Sequence, residues 1–305
     1  MTAQPVLVIG GPTASGKSGL AVSIAEALQG AVINGDSMQV YQGLPILTAQ
    51  PSGADCDKVP HRLYSVLSPT ESCSAASWRD LAIAEIRKSQ AENRLPIVVG
   101  GTGFYLKTLL QGISPIPDVP ASFRREAAAL QKELGNPRFH QELAKRDPLT
   151  AARLDPLNTQ RLIRAWEVLQ ATGKSLAEWQ TAPLAGPPED LRFLTVTLQP
   201  QREHLYASCN NRFNKMLDMG ALEEVQKFKE QTPPNTALSK ALGYPELLAY
   251  LEGKTTLAEA VKLTQQSTRN YAKRQTTWFR HQIRTDMVLG NPDPVPLLLR
   301  LKAGF

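Results

Sequence analysis

The sequence predicts an α/β fold built on a doubly wound parallel sheet, and three observations indicate it. An apolar run at residues 6–9 leads through a glycine-rich turn into a helix-like segment at 19–29. A second apolar run follows at residues 31–34. A third, at 95–99, again ends in a glycine-rich turn. A strand, a helix and a strand in this order form a βαβ unit, whose strands are parallel.

The first turn fits the phosphate-loop pattern in both residue type and spacing. Glycines there let successive N–H groups and the N-terminus of the next helix point at one anion. Lysine adds a mobile positive charge, and a serine hydroxyl suits Mg²⁺. The pattern alone does not say whether the polyphosphate belongs to a nucleotide. The residues expected to bind it are Gly11, Thr13, Ala14, Ser15, Gly16, Lys17 and Ser18, with Ser18 as the metal ligand.

An acidic residue ends the second predicted strand. Asp36 falls at the carboxyl end of that strand, where open α/β sheets bind their ligands. Ser37, Met38 and Gln39 follow, with side chains suited to reading a base by hydrogen bonding and stacking. The turn at residues 100–105 reaches the same edge of the sheet. It is either a simple tight turn or the far wall of the same pocket.

Proline-rich segments divide the chain. Residues 42–74 are irregular, 75–90 predict a helix, and the prolines between residues 114 and 120 mark a boundary. We expect a core domain of residues 1–118 and 187–305, interrupted by an all-helical insertion domain at 119–186. Beyond the insertion the apolar run at 193–198 returns to the sheet, and helices follow to about residue 286.

One late helix carries charge of a single sign. No acidic residue lies between Lys262 and Arg284, and basic residues recur there at intervals of four and seven, which places them on one face. Such a stripe is either a solvated face or a contact with a phosphate backbone, and the absence of acidic residues favours the contact. The stripe comprises Lys262, Arg269, Lys273, Arg280 and Arg284.

Composition sets outer limits on function. The net charge of +6 is compatible with a polyanionic partner. Three scattered cysteines without a CxxC pair indicate neither a zinc site nor a disulfide framework. We see neither a basic leader nor an apolar run of membrane-spanning length. We therefore expect a cytoplasmic, monomeric protein with no membrane contact and no obligate protein partner.

Seven motifs together resemble the tRNA dimethylallyltransferases. They lie at residues 11–18, 35–41, 48–51, 59–61, 100–105, 160–165 and 271–280. The resemblance implies a fold similar to phosphate-loop NTPases, with a loop that holds dimethylallyl diphosphate rather than ATP. It implies transfer of the prenyl group to N6 of adenosine 37, next to the anticodon of tRNA, with Mg²⁺ as cofactor. No Cys/His pairs follow Asp286, which matches the bacterial type.

The resemblance also implies roles for individual residues. Asp36 is the general base, unless it is a ligand of Mg²⁺-bound water or a helix cap. Thr102 contacts substrate near the leaving group, although a turn-stabilising hydroxyl is an open alternative. Lys17 stabilises the leaving diphosphate, and Arg212 reaches it. The tRNA contacts are expected at Asp36, Ser37, Met38, Gln39, Thr102, Arg124, Gln160, Arg161, Leu162, Ile163, Arg164, Lys273 and Arg280.

Other functions use some of the same features. A phosphate loop alone most often predicts a small-molecule or nucleotide kinase using ATP. That function leaves the acid-free basic helix unexplained. A prenyltransferase of free nucleotides needs no large RNA face, and an RNA-binding module has no use for a complete phosphate loop.

Overall fold

A computed structural model describes residues 4–303, apart from the side chain of Gln4. Its residues form two compact units. One comprises the chain up to Leu110 together with the chain from Pro187 onward, and the other is Gln111–Gly186. Residues 1–3 and 304–305 of the predicted core domain lie outside the described residues.

The first unit is organised around one sheet. Its strands are β1 (Gln4–Gly10), β2 (Gly30–Asn34), β3 (His61–Arg62), β4 (Leu95–Gly100), β5 (Leu191–Leu198) and β6 (Met287–Leu289). They pair in the order β3-β2-β4-β1-β5-β6, and every pairing is parallel. This confirms the predicted fold class. The short edge strands β3 and β6 were not predicted.

Within residues 4–303, four helices begin before the second unit. They are α1 (Lys17–Ala27), α2 (Gly53–Lys58), α3 (Ala75–Ala91) and α4 (Gly103–Gln111). Ser74 caps α3, since its side chain accepts the N–H of Ser77. Trp78 of α3 is fully buried and donates its ring N–H to the carbonyl of Asn34 at 2.9 Å. α3 is thereby fixed to the end of β2, next to the acidic turn.

The second unit consists of helices around a small core of its own. They are α5 (Ala121–Arg146), α6 (Pro148–Ala151), α7 (Thr159–Thr172) and α8 (Leu176–Thr181). Gly135, with φ at 70°, interrupts α5 just before Pro137. Phe139 of α5 packs against Trp166 of α7, with ring centroids 5.2 Å apart.

In the described part of the chain after β5, five more helices belong to the first unit. They are α9 (Arg202–Asp218), α10 (Ala221–Gln231), α11 (Tyr244–Leu251), α12 (Leu257–Gln282) and α13 (Val295–Lys302), with a short 3₁₀ turn at Ala237–Lys240. The basic stripe lies on α12 except for Arg284. That residue falls beyond the end of the helix, so its assignment to the helical face was wrong.

Two hydrophobic cores lie on opposite faces of the sheet, because successive strand residues point to opposite sides. Val6 and Val8 pack against α3, α4 and α9–α12, whereas Leu7 and Ile9 pack against α1 and α13. All four side chains are fully buried. Both faces are therefore covered, and the turns after β1, β2 and β4 meet at one edge. Within residues 4–303, no helix is both long and apolar enough to cross a membrane.

Candidate active site

The phosphate loop joins β1 to α1 in a conformation that presents backbone N–H groups. Gly16 precedes α1 with φ at 87°, and Ala14 also has positive φ, at 60°. No side chain caps the start of α1, and its first turn contains no acidic residue. Ser15 is buried, and its hydroxyl has no hydrogen-bond partner in the described part of the chain. These features leave the loop ready to receive an anion.

Neighbouring groups hold the loop in place. The ammonium of Lys17 donates to the carbonyl of Pro12 at 3.1 Å. Arg212 of α9 donates to the hydroxyl of Thr13 at 2.5 Å, and the backbone N–H of Thr13 donates to Gln275 of α12 at 2.8 Å. The expected contact of Thr13 with the diphosphate stays a prediction. Its N–H is already engaged, while its hydroxyl holds Arg212 against the loop.

Lys17 and Arg212 are two half-buried cations beside this loop. Shielding from solvent lowers the pKa of Lys17 from 10.5 to about 8, although the negative charge of Asp36 opposes the shift. The positive charge of Arg212 lowers the pKa of Lys17 further. Burial also lowers the pKa of Arg212 itself. A bound polyphosphate would compensate both charges.

A cavity of about 420 Å³ opens next to the loop. Lys17, Ser18 and Arg212 line it, together with other polar residues such as Asp55 and His61. Val22 and Tyr64 are among the less polar residues that line it. The cavity therefore offers an anion site next to apolar surface.

Asp36 is fixed by the turn that follows β2. Its backbone N–H donates to the side chain of Asn34 at 2.8 Å, and its Oδ1 accepts the N–H of Met38 at 3.0 Å. Its Oδ2 lies beside Gly101, where an added Cβ would be 3.2 Å away. The residues after Asp36 form a turn rather than a helix, so the helix-cap alternative was wrong.

Thr102 links this turn to the one after β4. Its hydroxyl accepts the backbone N–H of Ser37 at 2.9 Å and donates to the Ser37 hydroxyl at 3.1 Å. The geometry supports the alternative in which Thr102 stabilises the turns. The far-wall interpretation of the second glycine-rich turn is supported as well, because Gly101 lies next to Asp36.

A smaller cavity, of about 190 Å³, lies against the second turn. Thr102, Phe104, Tyr271 and Trp278 are among its lining residues. Shielding from water raises the pKa of Tyr271, and the charge of Asp36 raises it further. The same two causes raise the pKa of Tyr64 in the larger cavity. Asp36 thus acts electrostatically on one tyrosine in each cavity.

The residues after Asp36 have structural partners. Ser37 is bonded to Thr102, and Met38 packs against the main core. The side-chain amide of Gln39 donates to the carbonyls of Thr48 and Ala49, both at 2.8 Å. Gln39 also lines the larger cavity. The expected tRNA contact of Gln39 stays a prediction, and both of these carbonyls accept from its amide nitrogen.

Helix α12 packs directly on the glycines of the site. A Cβ at Gly101 would lie 2.6 Å from Nε2 of Gln275, and one at Gly10 would lie 2.5 Å from the ring of Phe279. A Cβ at Gly103 would overlap the ring of Trp278. These side chains stand at i, i+3 and i+4 on one face of α12. Lys273 and Arg280, expected to contact tRNA, are exposed on the same helix.

In the second unit, three of the expected tRNA contacts converge. Glu167 is buried, and its Oε1 lies 2.7 Å from Arg164 and 3.6 Å from Arg124. Arg124 also donates to the side chain of Gln160 at 3.0 Å. The expected contact Arg161 is exposed and follows Gln160 on α7. One buried carboxylate therefore holds two arginines at the surface of this unit.

Two of the residues expected to contact tRNA have side chains that lie in the core of the second unit. Leu162 is fully buried and Ile163 is 5% exposed, and both belong to the core that contains Phe139. Their burial corrects the prediction that their side chains contact tRNA. They occupy the packing face of α7, next to the polar residues of the same motif.

Sequence reasoning missed three residues that shape these sites. They are Gln275, Glu167 and Glu224, whose carboxylate accepts the N–H groups of Ile46 and Leu47 at 2.7 and 2.9 Å. Burial raises the pKa of Glu224, while these two hydrogen bonds oppose the shift. Gln275 falls within one of the motifs. Its partners are too distant in sequence for spacing to reveal them.

Known proteins are similar in sequence to most of this chain. The family model for IPP transferase matches residues 39–282. A tRNA dimethylallyltransferase from Rhodospirillum centenum is 56% identical over 281 residues, which are 92% of this chain and 90% of the relative. One from Rickettsia bellii is 42% identical over 289 residues, or 95% and 92% of the two chains.

Solved structures agree with the sequence matches. The full-length tRNA isopentenylpyrophosphate transferase from Bacillus halodurans superimposes with a TM-score of 0.68 and 33% identity, over 98% of this chain and 94% of its own. A eukaryotic dimethylallyltransferase acting on tRNA gives a TM-score of 0.78 and 27% identity, over 96% and 75% of the two chains.

The fold and the loop between β1 and α1 define a protein similar to the phosphate-loop NTPases, with the carboxylate of Asp36 close enough to the loop to act on the charge of Lys17. Within that class, the chain belongs to the tRNA dimethylallyltransferase family. The resemblance seen in the sequence is thereby confirmed.

Proposed function

We propose that this chain transfers a dimethylallyl group from dimethylallyl diphosphate to N6 of adenosine 37 in tRNA, beside the anticodon, and releases diphosphate. The observation that carries the proposal is the position of Asp36. It couples electrostatically to Lys17 of the phosphate loop, while its Oδ2 lies beside the second glycine-rich turn. One site can therefore both stabilise a leaving anion and accept a proton from an incoming amine.

The reaction exchanges one bond for another. The C–O bond between the prenyl C1 and the diphosphate breaks, and the electron pair leaves with the diphosphate. Lys17, Arg212 and the N-terminus of α1 stabilise that growing negative charge. The C–N bond forms from N6 of adenosine, and the proton released from N6 passes to the carboxylate of Asp36.

Magnesium fits this site as a companion of the diphosphate. Among residues 4–303 there is no cluster of three acidic, histidine or cysteine side chains that could hold a metal ion. Ser18 lines the cavity beside Lys17, and Mg²⁺ commonly joins few protein ligands to substrate phosphates. Bound there through Ser18, the ion would supply further stabilisation of negative charge on the leaving group.

The RNA needs contacts outside the reaction site. Extrusion of a stacked base costs a few kcal/mol, which backbone contacts must offset. Lys273 and Arg280 on α12, and separately the cluster around Glu167, are basic surfaces suited to phosphates. We propose that both contact the anticodon stem-loop, and that the enzyme acts in the cytoplasm, where its substrate is.

One experiment separates this function from that of an ATP-dependent kinase. Unmodified tRNA is incubated with radiolabelled dimethylallyl diphosphate and, in parallel, with γ-labelled ATP. We expect label on tRNA from the isoprenoid donor alone. Transfer of phosphate from ATP to any acceptor, without prenyl transfer to tRNA, would favour the kinase.

A further inference from the structure

A single buried side chain bridges the two glycine-rich turns. Gln275 of α12 is 6% exposed. Its Oε1 accepts the backbone N–H of Thr13 at 2.8 Å, and its Nε2 donates to the carbonyl of Gly101 at 2.7 Å. The partners lie 262 and 174 positions away in the chain. Three distant parts of the sequence thus meet at one amide.

The two hydrogen bonds of the bridge require a side chain that ends in an amide and has the length of glutamine. One end must accept from an N–H and the other must donate to a carbonyl, which neither a carboxylate nor an apolar side chain can do at once. Both partners are backbone groups, and leaving either unpaired in a buried place is unfavourable. There is also no spare room, because a Cβ at Gly101 would lie 2.6 Å from Nε2 of Gln275.

Each end of the bridge touches part of the proposed reaction site. Thr13 holds Arg212 through its hydroxyl, at 2.5 Å. Gly101 lies next to Oδ2 of Asp36 and directly precedes Thr102. The pairing of Gly10 with Gly100 brings the two turns side by side, and the bridge joins them beyond the ends of β1 and β4, between the groups proposed to hold the diphosphate and the carboxylate proposed to face the amine.

We propose that Gln275 is a positioning residue, which fixes the phosphate loop relative to Asp36 without touching the reacting atoms. This inference rests on the proposed prenyl transfer. Reacting groups held in a near-attack arrangement lose about 100-fold in rate when they move by about 1 Å. A change at Gln275 should therefore act on the chemical step and on the diphosphate, and leave the recognition of tRNA intact.

Two variants of similar volume test the proposal. Gln275→Met removes both hydrogen bonds, whereas Gln275→Glu keeps the acceptor for Thr13 and places a carboxylate oxygen against the carbonyl of Gly101. The control is Gln265→Ala, which removes a hydrogen bond of 3.0 Å that the side-chain amide of Gln265 on α12 donates to Asn214 of α9, away from the turns. The measurements are kcat and KM for both substrates, thermal unfolding, and binding of inorganic diphosphate with Mg²⁺ by calorimetry.

For both Gln275 variants we expect kcat to fall at least tenfold and the Kd of inorganic diphosphate to rise severalfold. The KM for tRNA should stay within about twofold of wild type, and Gln265→Ala should behave as wild type throughout. An unchanged kcat, or an unchanged affinity for inorganic diphosphate, would overturn the proposal. So would a loss of activity that matches a loss of folded protein.

The diphosphate measurement keeps this inference distinct from the proposed function. If the wild-type enzyme transfers no dimethylallyl group to tRNA, the proposed function fails, whatever the variants do. If it does transfer the group and Gln275→Met binds inorganic diphosphate as wild type does, the function stands and the role of Gln275 fails.

Discussion

The hydroxyl of Thr102 accepts the backbone N–H of Ser37 at 2.9 Å, and so joins the turn after β4 to the turn after β2. The second contact, to the Ser37 hydroxyl at 3.1 Å, uses the proton of Thr102. Asp36 directly precedes Ser37, so this pair fixes the backbone on which the proposed base stands. Thr102 can therefore affect the reaction through geometry alone.

Loss of the Thr102 hydroxyl should lower the rate of prenyl transfer. A smaller side chain that keeps the hydroxyl should not. Thr102→Val keeps the shape and leaves the N–H of Ser37 unpaired, so we expect kcat to fall about tenfold to 100-fold. Thr102→Ser retains the hydroxyl, and we expect at least half of the wild-type kcat. Steady-state prenyl transfer to tRNA measures both. Equal losses in the two variants would contradict the prediction, because Thr102→Ser keeps the hydroxyl and should then retain activity.

Asp36→Asn should abolish turnover and spare the complex with tRNA. The amide oxygen can still accept the N–H of Met38, so the turn is retained, but the amide cannot take a proton from N6. General-base catalysis is worth about 100-fold to 10,000-fold, and we expect a loss of that size in kcat. Filter binding of unmodified tRNA should change by less than about threefold. Lost binding with intact folding would make Asp36 a recognition residue.

Donor affinity should depend on the charge of Lys17. Its pKa in the free enzyme is lowered to about 8, so the side chain is charged below that pH and neutral above it. Inorganic diphosphate should therefore bind more weakly as the pH rises through 8, by up to about tenfold for each unit. Lys17→Arg stays charged over this range and serves as the control. A parallel pH dependence in the two proteins would assign the titration to another group.

Glu167→Gln should weaken tRNA binding without affecting the donor. The change removes the charge that holds Arg124 and Arg164, so these side chains lose their fixed geometry. We expect a severalfold rise in the KM for tRNA and an unchanged KM for dimethylallyl diphosphate. The control is Glu142→Gln, in an exposed pair with Lys145 in the same unit. Identical tRNA kinetics in the two variants would contradict the role of Glu167.

The fold could be predicted largely because its signals are local. Apolar runs mark β1, β2, β4 and β5, and glycine turns mark the edge where ligands bind. β6 could not be predicted in the same way, because three residues at an edge carry too little pattern. The spacing of basic residues at intervals of four and seven also predicted that Arg284 lies on the helix. That prediction was wrong, because the helix ends at Gln282.

The site was predictable in its residue types and less so in their contacts. Lys17 and Asp36 stand in motifs that imply their chemistry. The spacing predicts an apolar stripe of Leu162, Ala165, Trp166 and Leu169 on α7, and the burial of Leu162 agrees with it. The bridge by Gln275 could not be predicted, because it depends on how α12 settles on the sheet. Only tertiary structure brings those groups together.

The packing of α12 on Gly10, Gly101 and Gly103 has a consequence for synthesis. A growing chain acquires the phosphate loop and the second turn within its first third, but the helix that seats on them emerges near the end. Until then, the hollows above these glycines stand open to water. Catalytic competence should therefore appear late and abruptly as the polypeptide leaves the ribosome, long after the first strands have paired.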